Sequence, residues 1–309
     1  MMQYLIILLD DTSTSFCHYH VPVREPRLMP IDTLRQAIRF AMKQNLAIQF
    51  VYPNQELPQE YKDVIDTIDH YNIKAVADDA DALVVSNWDF SAVTNSTPLV
   101  LRTTKDELFH RYDELRRVLW DVPHLNVIIT DLETFTEADF ETYRLLLKSL
   151  SKTVAQLYVE GRSPQINILT DRMLLTAMNN CGAGNTTITL APNGKFYTCP
   201  AFYYDNEADH IGDLQHGIDI PNQQLYRLSH APICSHCDAW QCRRCIWLNR
   251  KTTREVNIPS HEQCVVAHLE RNASRQLLLN VRCYGDFMPE VEIKEIDYTD
   301  PFENINEWQ

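Results

Sequence analysis

The chain has little glycine and no long apolar run. Only 7 of its 309 residues are glycine and none precedes Gly161, whereas an average protein has about 7%. Loops that hold nucleotides need glycines so that the backbone can approach the phosphates, and the first half therefore contains no glycine-built nucleotide site. The apolar run 4–9 lacks a preceding basic region and ends at Asp10 and Asp11, unlike a secretory signal. No segment approaches the ~20 apolar residues of a membrane span, so we expect a cytoplasmic protein.

Positive charge is also scarce. The sequence has 28 Lys and Arg against 42 Asp and Glu, a net charge of −14. Nucleic-acid binding through the phosphate backbone needs basic residues, so this balance argues against a nucleic-acid partner. Residues 286–309 carry eight acidic residues and one lysine. Such an ending predicts a solvated terminus or, alternatively, a docking arm for a basic partner.

The remaining composition is ordinary for a soluble globular protein, with 45% apolar and 23% charged residues. The length favours two unequal domains. Residues 1–174 alternate apolar, β-rich runs with amphipathic helical stretches, which predicts an α/β domain with a parallel sheet: an open, partial β/α barrel, or alternatively a doubly wound sheet. The predicted strands are 3–9, 46–52, 73–77, 82–86, 98–102, 125–130 and 166–170, and the predicted helices lie near 31–44, 57–70, 104–120 and 136–160.

Cysteines dominate the part that follows. In a cytoplasmic chain, nine cysteines indicate metal binding or catalysis before disulfides. We expect a small metal-stabilised domain over 175–270, because its apolar periodicity is too weak for a core of its own, followed by an acidic segment over 271–309. Two C-x2-C pairs and three further cysteines exceed the four ligands of one structural zinc. The seven are Cys181, Cys199, Cys234, Cys237, Cys242, Cys245 and Cys264.

Two further features concern single cysteines. The stretch "ITLAPNGKFYTCP" (188–200) has apolar alternation on both sides of Asn193–Gly194, which predicts a β-hairpin whose register positions Cys199. Cys283 lies outside the cysteine pattern and is expected to be a buried thiol rather than a ligand.

The cysteine order is C-x12-G-x4-C, then C-x2-C-x4-C-x2-C, then one isolated cysteine. It resembles the SPASM domain of radical SAM peptide-modifying enzymes, which usually space the central group C-x2-C-x5-C-x3-C. The resemblance covers roughly 175–270 and implies two auxiliary [4Fe–4S] clusters. By position, Cys181, Cys199 and Cys245 would serve the first cluster, and Cys234, Cys237, Cys242 and Cys264 the second. Leu175 stands where some members have a further cysteine, so the fourth ligand of the first cluster stays open. Zinc is the alternative metal for the same thiolates.

The same resemblance implies a C-x3-C-x2-C loop after the first strand, which in that family holds the cluster that cleaves S-adenosylmethionine. In "TSTSFCHYH" (12–20), those positions are Ser13, Cys17 and His20. The family's Gly-Gly-Glu-Pro element corresponds to "YPNQELP" (52–58), which has Glu56 but neither glycine. One thiolate, a hydroxyl and an imidazole make a poor cluster site, so we expect no S-adenosylmethionine cofactor. The alternative is that 12–20 is an ordinary polar connection.

Four stretches resemble the CXXX-repeat peptide maturase group: "TDLETFTEADFE" (130–141), "NILTDR" (167–172), "MNNC" (178–181) and "GKFYTCPAFYY" (194–204). Those proteins lack the radical SAM cysteines and are associated with an authentic radical SAM enzyme and a cysteine-repeat precursor peptide. The resemblance implies a non-catalytic or accessory subunit of a heterodimeric maturase, whose clusters serve structure, substrate positioning or electron relay. The alternatives are a zinc-stabilised binding or scaffold protein, and a self-sufficient maturase with an atypical Ser/Cys/His-ligated cluster.

Overall fold

The computed structural model describes residues 2–76, 78–91, 93, 97–178 and 180–302. The strands are β1 (Tyr4–Leu8), β2 (Ala47–Val51), β3 (His70–Lys74), β4 (Ala82–Val85), β5 (Leu99–Thr103), β6 (His124–Ile129), β7 (Gln165–Ile166), β8 (Thr187–Leu190), β9 (Phe196–Tyr197), β10 (Gly212–Asp213) and β11 (Gly217–Ile218). The α-helices are α1 (Ile31–Gln44), α2 (Gln59–Ile65), α3 (Lys105–His110), α4 (Tyr112–Val118), α5 (Glu137–Val159), α6 (Asp171–Leu174), α7 (Pro200–Asp205), α8 (Ile246–Thr253) and α9 (His261–Arg282). The end of the predicted acidic tail, 303–309, and Asn179 of "MNNC" lie outside the described residues.

The chain forms two compact units, each built from two separate segments. Unit 1 comprises Met1–Val85 and Cys181–Ala231, and unit 2 comprises Ser86–Asn180 and Pro232–Gln309. The predicted division into 1–174, 175–270 and 271–309 stays a prediction. Among the described residues, no helix combines the length and apolar character needed to cross a bilayer.

Unit 1 is built on a mostly parallel arrangement of strands in the order β4-β3-β2-β1-β8-β9. Only the β8–β9 pair is antiparallel. β1 is buried along nearly its whole length, with Leu5 and Ile7 fully inaccessible, as expected for a central strand covered on both faces. The apolar face of α1, with Leu34 and Ala37, belongs to the same core cluster.

Unit 2 contains the parallel strands β7-β6-β5 and the two long helices α5 and α9. Thr136 caps the start of α5 in a capping box. Its side chain accepts a hydrogen bond from the backbone N–H of Asp139, and the Asp139 side chain accepts one from the backbone N–H of Thr136. Ser260 caps α9 through the N–H of Gln263. The mostly parallel strands and interleaved helices of both units confirm the predicted α/β class.

The predicted elements of the first 174 residues are present, but several differ in extent; α2, for example, ends at Ile65 rather than near residue 70. β3 begins three residues earlier than predicted, because the buried Asn72 is held by the side chain of Asp81 and the carbonyl of Asp79. The predicted helix over 104–120 is divided at Arg111 into α3 and α4. The predicted strand 166–170 stops after β7, because the Thr170 hydroxyl closes a tight turn onto the backbone of Ile166.

Helices α8 and α9 lie in the part of the chain where the apolar periodicity is weak, and the sequence analysis did not predict them. The buried face of α9 contains the polar residues Gln263, His268, Arg271 and Ser274 beside its apolar ones. These polar residues interrupt the apolar period from which an amphipathic helix is predicted. Their burial depends on partners elsewhere in the unit, which local sequence does not reveal.

Glu270 of α9 is expected to make the stability of the fold depend on pH. Its Oε1 accepts a hydrogen bond from the Tyr143 hydroxyl of α5 at 2.9 Å. Burial raises the pKa of Glu270 from 4.5 to about 8, and the bonds from Tyr143 and Gln241 offset this only in part. Between pH 4.5 and about pH 8, Glu270 is ionised in the unfolded chain but protonated in the folded chain. The free energy of unfolding should therefore fall as the pH rises through this window and level off above it.

Urea denaturation of the wild type and Glu270→Gln tests this expectation. Between about pH 5 and about pH 8.5, the wild type should lose about 2–4 kcal/mol relative to the variant, a value reduced to allow for partial exposure of the carboxyl. Parallel stability curves for the two proteins would show that Glu270 titrates normally.

Candidate functional site

Four of the seven predicted cysteine ligands line one small enclosed cavity in unit 2. These four, Cys234, Cys237, Cys242 and Cys264, are called the four-cysteine group. Cys234 opens a short 3-10 turn, whereas Cys264 lies in the first turn of α9. The set is the one that the family resemblance implies for the second cluster.

Backbone hydrogen bonds shape the loop that carries three of these thiols. The N–H of Cys237 donates to the carbonyl of Cys234 at 3.2 Å, and the N–H of Cys242 donates to the carbonyl of Ala239 at 3.0 Å. The N–H of Ala239 points instead at the Cys237 sulfur, 3.4 Å away. The loop thus presents sulfurs towards the cavity while its backbone groups are satisfied locally, as a thiolate metal site requires.

Cys234 and Cys264 are buried, Cys237 and Cys242 are partly buried, and the four thiols are close enough to affect one another. Burial raises the pKa of Cys234 to about 11, with Arg244 lowering it and Cys237 raising it. Burial raises the pKa of Cys242 to about 12, and Cys234 and Cys237 add to this. The pKa of Cys264 is raised by burial and then by the other three. Such thiols are protonated at neutral pH, so a metal ion bound by them would displace protons.

The four thiols are suitable metal ligands, but the cavity between them is small. Four sulfurs around one cavity are the ligands of a structural zinc or of a [4Fe–4S] cluster. The cavity has a volume of about 20 Å³, little more than the ~10–15 Å³ needed for one water. Within the described parts of the chain, no three His, Cys, Asp or Glu side chains are arranged to hold a metal ion. A cluster would require the thiols to move apart, and the assignment of all seven cysteines as ligands stays a prediction.

A second set of thiols lies in unit 1. Burial raises the pKa of Cys199 well above its ordinary value, and the neighbouring Cys181 and then Cys17 contribute further, while the N–H groups of Ala201 and Phe202 act in the opposite sense. Cys199 is the residue that precedes α7, whereas Cys181 is exposed and Cys17 is partly buried. Cys17 was expected beside Ser13 and His20, and no spacing in the sequence connects it with Cys199.

The predicted hairpin is confirmed. β8 and β9 are antiparallel, with Thr189 opposite Tyr197 and Leu190 opposite Phe196. The Thr187 hydroxyl donates to the carbonyl of Cys181 at 3.3 Å. Gly194 has a φ of +77° in the connecting turn, a conformation that glycine adopts without strain. The turn therefore sets the register that positions Cys199.

Two remaining cysteines differ in their environment. Cys245 precedes α8 in unit 2, whereas Cys181 and Cys199 belong to unit 1, so their proposed sharing of a first cluster stays a prediction. The expectation that Cys283 is buried is wrong: it follows the last turn of α9 and is exposed. Its sulfur contacts the carbonyl of Leu279 at 3.4 Å.

The loop that would hold a radical SAM cluster is committed to structural contacts. Ser13 is fully buried, and its hydroxyl donates to the carbonyl of Val51 at 2.9 Å and accepts from the N–H of Asp10 at 3.0 Å. His20 lies on the surface. The three residues at the expected ligand positions thus have three different environments.

Two tyrosines of α7 pack onto the same loop, and the sequence analysis did not identify this contact. The Tyr203 hydroxyl donates to the buried carboxylate of Asp11, which also pairs with Nε of Arg27 at 2.9 Å. The ring of Tyr19 stacks on Tyr204 with centroids 5.5 Å apart. The only local signal was the aromatic residue before His20; the partners in α7 are more than 180 residues away in the chain.

The second expected element, 52–58, is also occupied by ordinary contacts. The ammonium of Lys74 lies 4.6 Å from the centroid of the Tyr52 ring. Glu56 forms an ion pair with Lys62 at 2.7 Å. The hydrogen bond from Lys62 lowers the pKa of Glu56, which is therefore ionised on the surface.

The fold of the chain is similar to that of solved structures of anSMEcpe. A histidine-tagged form with bound AdoMet aligns with a TM-score of 0.64 and 12% identity, over 93% of this chain and 97% of that chain. A native form with bound AdoMet and Cp18Cys peptide aligns with a TM-score of 0.60 and 13% identity, over 91% and 99%. The likeness is one of fold, and it confirms the predicted α/β class. No protein-family model and no curated protein matches the chain.

Proposed function

We propose that this chain is the accessory, radical SAM-like subunit of a peptide maturase. In this proposal it binds a cysteine-repeat precursor peptide together with an authentic radical SAM subunit and does not itself cleave S-adenosylmethionine. The similarity in fold to anSMEcpe, whose structures contain AdoMet and a peptide, supports a maturase-type scaffold. The residues of the first loop support an accessory role.

The observation that carries the proposal is the state of Ser13. A cluster that cleaves S-adenosylmethionine needs three converging protein ligands and leaves its fourth iron open. Both hydrogen-bonding functions of the Ser13 hydroxyl are used by backbone groups of Asp10 and Val51. Making that oxygen a ligand would leave these buried groups unsatisfied, at a cost of about 1–3 kcal/mol for each.

The metal centres are part of the same proposal. The four-cysteine group would hold the second auxiliary cluster, and Cys181, Cys199 and Cys245 the first, whose fourth ligand stays open. A [4Fe–4S] cluster would supply a one-electron carrier or a rigid cross-link. The chain's own contribution is to hold the loops that carry the thiols and to keep water away from the four-cysteine group.

One observation favours the zinc alternative. A single Zn²⁺ needs only the space between four sulfurs that are each ~2.3 Å from it. The small cavity within the four-cysteine group suits one ion better than a cluster. Under this alternative, the chain would be a scaffold protein whose unit 2 is stabilised by zinc, and it would have no role in electron transfer.

Anaerobic purification and reconstitution test the proposal. We expect about eight irons per chain with little zinc, and no deoxyadenosine when S-adenosylmethionine and a strong reductant are added. A tagged radical SAM subunit should capture this chain more strongly when the precursor peptide is present. Stoichiometric zinc without iron would select the scaffold alternative, and deoxyadenosine formation by the pure chain would exclude an accessory role.

Cys17→Ala separates the accessory role from a self-sufficient enzyme. A Ser/Cys/His-ligated cluster depends on its single thiolate, so this change would abolish the activity of a self-sufficient enzyme. In an accessory subunit, the same change should leave maturation by the reconstituted pair within about twofold of wild type, a difference of ~0.4 kcal/mol in barrier height. Cys283→Ala is the matched control, because that thiol is exposed and outside the pattern.

A further inference from the structure

Unit 2 contains a second, much larger cavity beside the four-cysteine group. Its volume is about 840 Å³, and it lies between the loop 232–240 and the segment 292–301. Ligand sites in proteins typically have volumes of about 300–1,000 Å³. Its apolar wall includes Ile233, Trp240 and Ile296, while Cys237 and His268 line both cavities.

Arg172 is the buried polar side chain of this cavity, with only 2% of the side chain exposed. Its Nε donates to the carbonyl of Asp238 at 2.5 Å, and its Nη2 donates to the Asp238 carboxylate at 3.3 Å. The guanidinium lies 3.8 Å from the centroid of the Trp240 ring, which fixes its plane. Nη1 has no hydrogen-bond acceptor among the described residues. A buried guanidinium of the cavity lining therefore keeps one donor group without an acceptor, and because this donor is itself buried, a ligand reaches it only after a neighbouring side chain moves.

The buried charged groups around Arg172 also carry an excess of positive charge. The Asp238 carboxylate also accepts two hydrogen bonds from the fully buried Arg271, at 2.9 and 2.6 Å. Two buried guanidiniums thus share one carboxylate. Glu292 and Lys294 have exposed side chains of opposite sign at the cavity and leave this excess unchanged. Buried charge without a partner is unfavourable, so an anion in the cavity would be stabilised.

We propose that this cavity binds a carboxylate that carries an apolar group. The carboxylate accepts from Nη1 of Arg172, and the apolar group packs against Trp240 and Ile296. The C-terminal residue of a peptide and a small apolar carboxylic acid share this chemistry. The site is independent of the proposed maturase role and of metal in the four-cysteine group, although its wall adjoins that group at Cys237.

Calorimetric titration with matched ligands tests the proposal on the full chain. The probes are N-acetyl-Leu-Phe as the free acid, the same dipeptide as the C-terminal amide, and N-acetylphenylalanine. We expect the free acid to bind at least tenfold more tightly than the amide. Tighter binding of the dipeptide acid than of N-acetylphenylalanine indicates a peptide end, and the reverse indicates a small acid; both agree with the site. Equal binding of acid and amide, or no binding of any probe, would overturn it.

Variants locate the binding within the cavity. Arg172→Lys keeps the charge and loses the planar donor pair. It should lower the affinity for the dipeptide acid at least tenfold and leave the affinity for the amide unchanged. Lys294→Gln is the matched control at the rim and should change the affinity less than threefold. If Arg172→Lys does not fold, Ile296→Trp serves instead, because it fills the cavity without removing a buried charge. Unchanged binding to a folded Ile296→Trp protein would place the ligand elsewhere, and an equal loss in Lys294→Gln would show that the carboxylate binds at the rim rather than at Arg172.

Discussion

Replacing Cys242 and Cys264 together by alanine is expected to remove the metal of the four-cysteine group and to cause a large loss of stability. Two of the four sulfurs that line the cavity disappear, so neither a zinc ion nor a cluster keeps enough ligands. Iron content should fall from about eight to about four per chain, or zinc by about one ion under the alternative. Structural metal binding is worth about 10–16 kcal/mol in small domains, so thermal unfolding should move down by at least 10 °C.

Cys283→Ala provides the control for this double variant. It removes a thiol that is exposed and makes one weak contact within α9. Metal content and unfolding temperature should stay at wild-type values. If the double variant retained its metal, or lost stability only by the roughly 1–3 kcal/mol expected for emptied core volume, the four-cysteine group would not be a metal site.

The second large effect is expected for Asp238→Asn. The Asp238 carboxylate lies between the buried guanidiniums of Arg172 and Arg271. Although burial opposes its ionisation, these two cations keep the pKa of Asp238 below its usual value. An amide in its place leaves two buried positive charges without a counter-ion. Breaking such a buried ion pair costs about 3–5 kcal/mol, which urea denaturation at neutral pH would measure.

Asp113→Asn is the matched control, because it also removes a carboxylate that faces an arginine. Asp113 pairs with Arg116 at 3.4 Å, but 78% of its side chain is exposed. Exposed pairs contribute about 0–1 kcal/mol, so this variant should be nearly as stable as wild type. Equal losses in the two variants would show that the Arg172–Asp238–Arg271 cluster is not the stabilising element described here.

Local sequence was most informative where one element accounts for its own structure. The apolar runs of β1 and β2, and the three- and four-residue periods of α1 and α5, are strong signals because each strand or helix buries a face of its own. The Asn193–Gly194 turn was equally clear, since few residues tolerate its backbone. The weakest predictions concerned α9, whose buried polar residues are acceptable only because distant groups bind them.

The sequence by itself determined the α/β class, the positions of most strands and helices in the first 174 residues, and the presence of a single cysteine in the first loop. These properties depend on residue type and on spacing along the chain. The tertiary structure alone decided that Tyr203 and Tyr204 pack on the first loop, and that Arg172 and Arg271 share Asp238 beside a large cavity. Each of these contacts joins residues that are tens to nearly two hundred positions apart. Their distances follow from strand register and helix packing, which no local pattern in the sequence encodes.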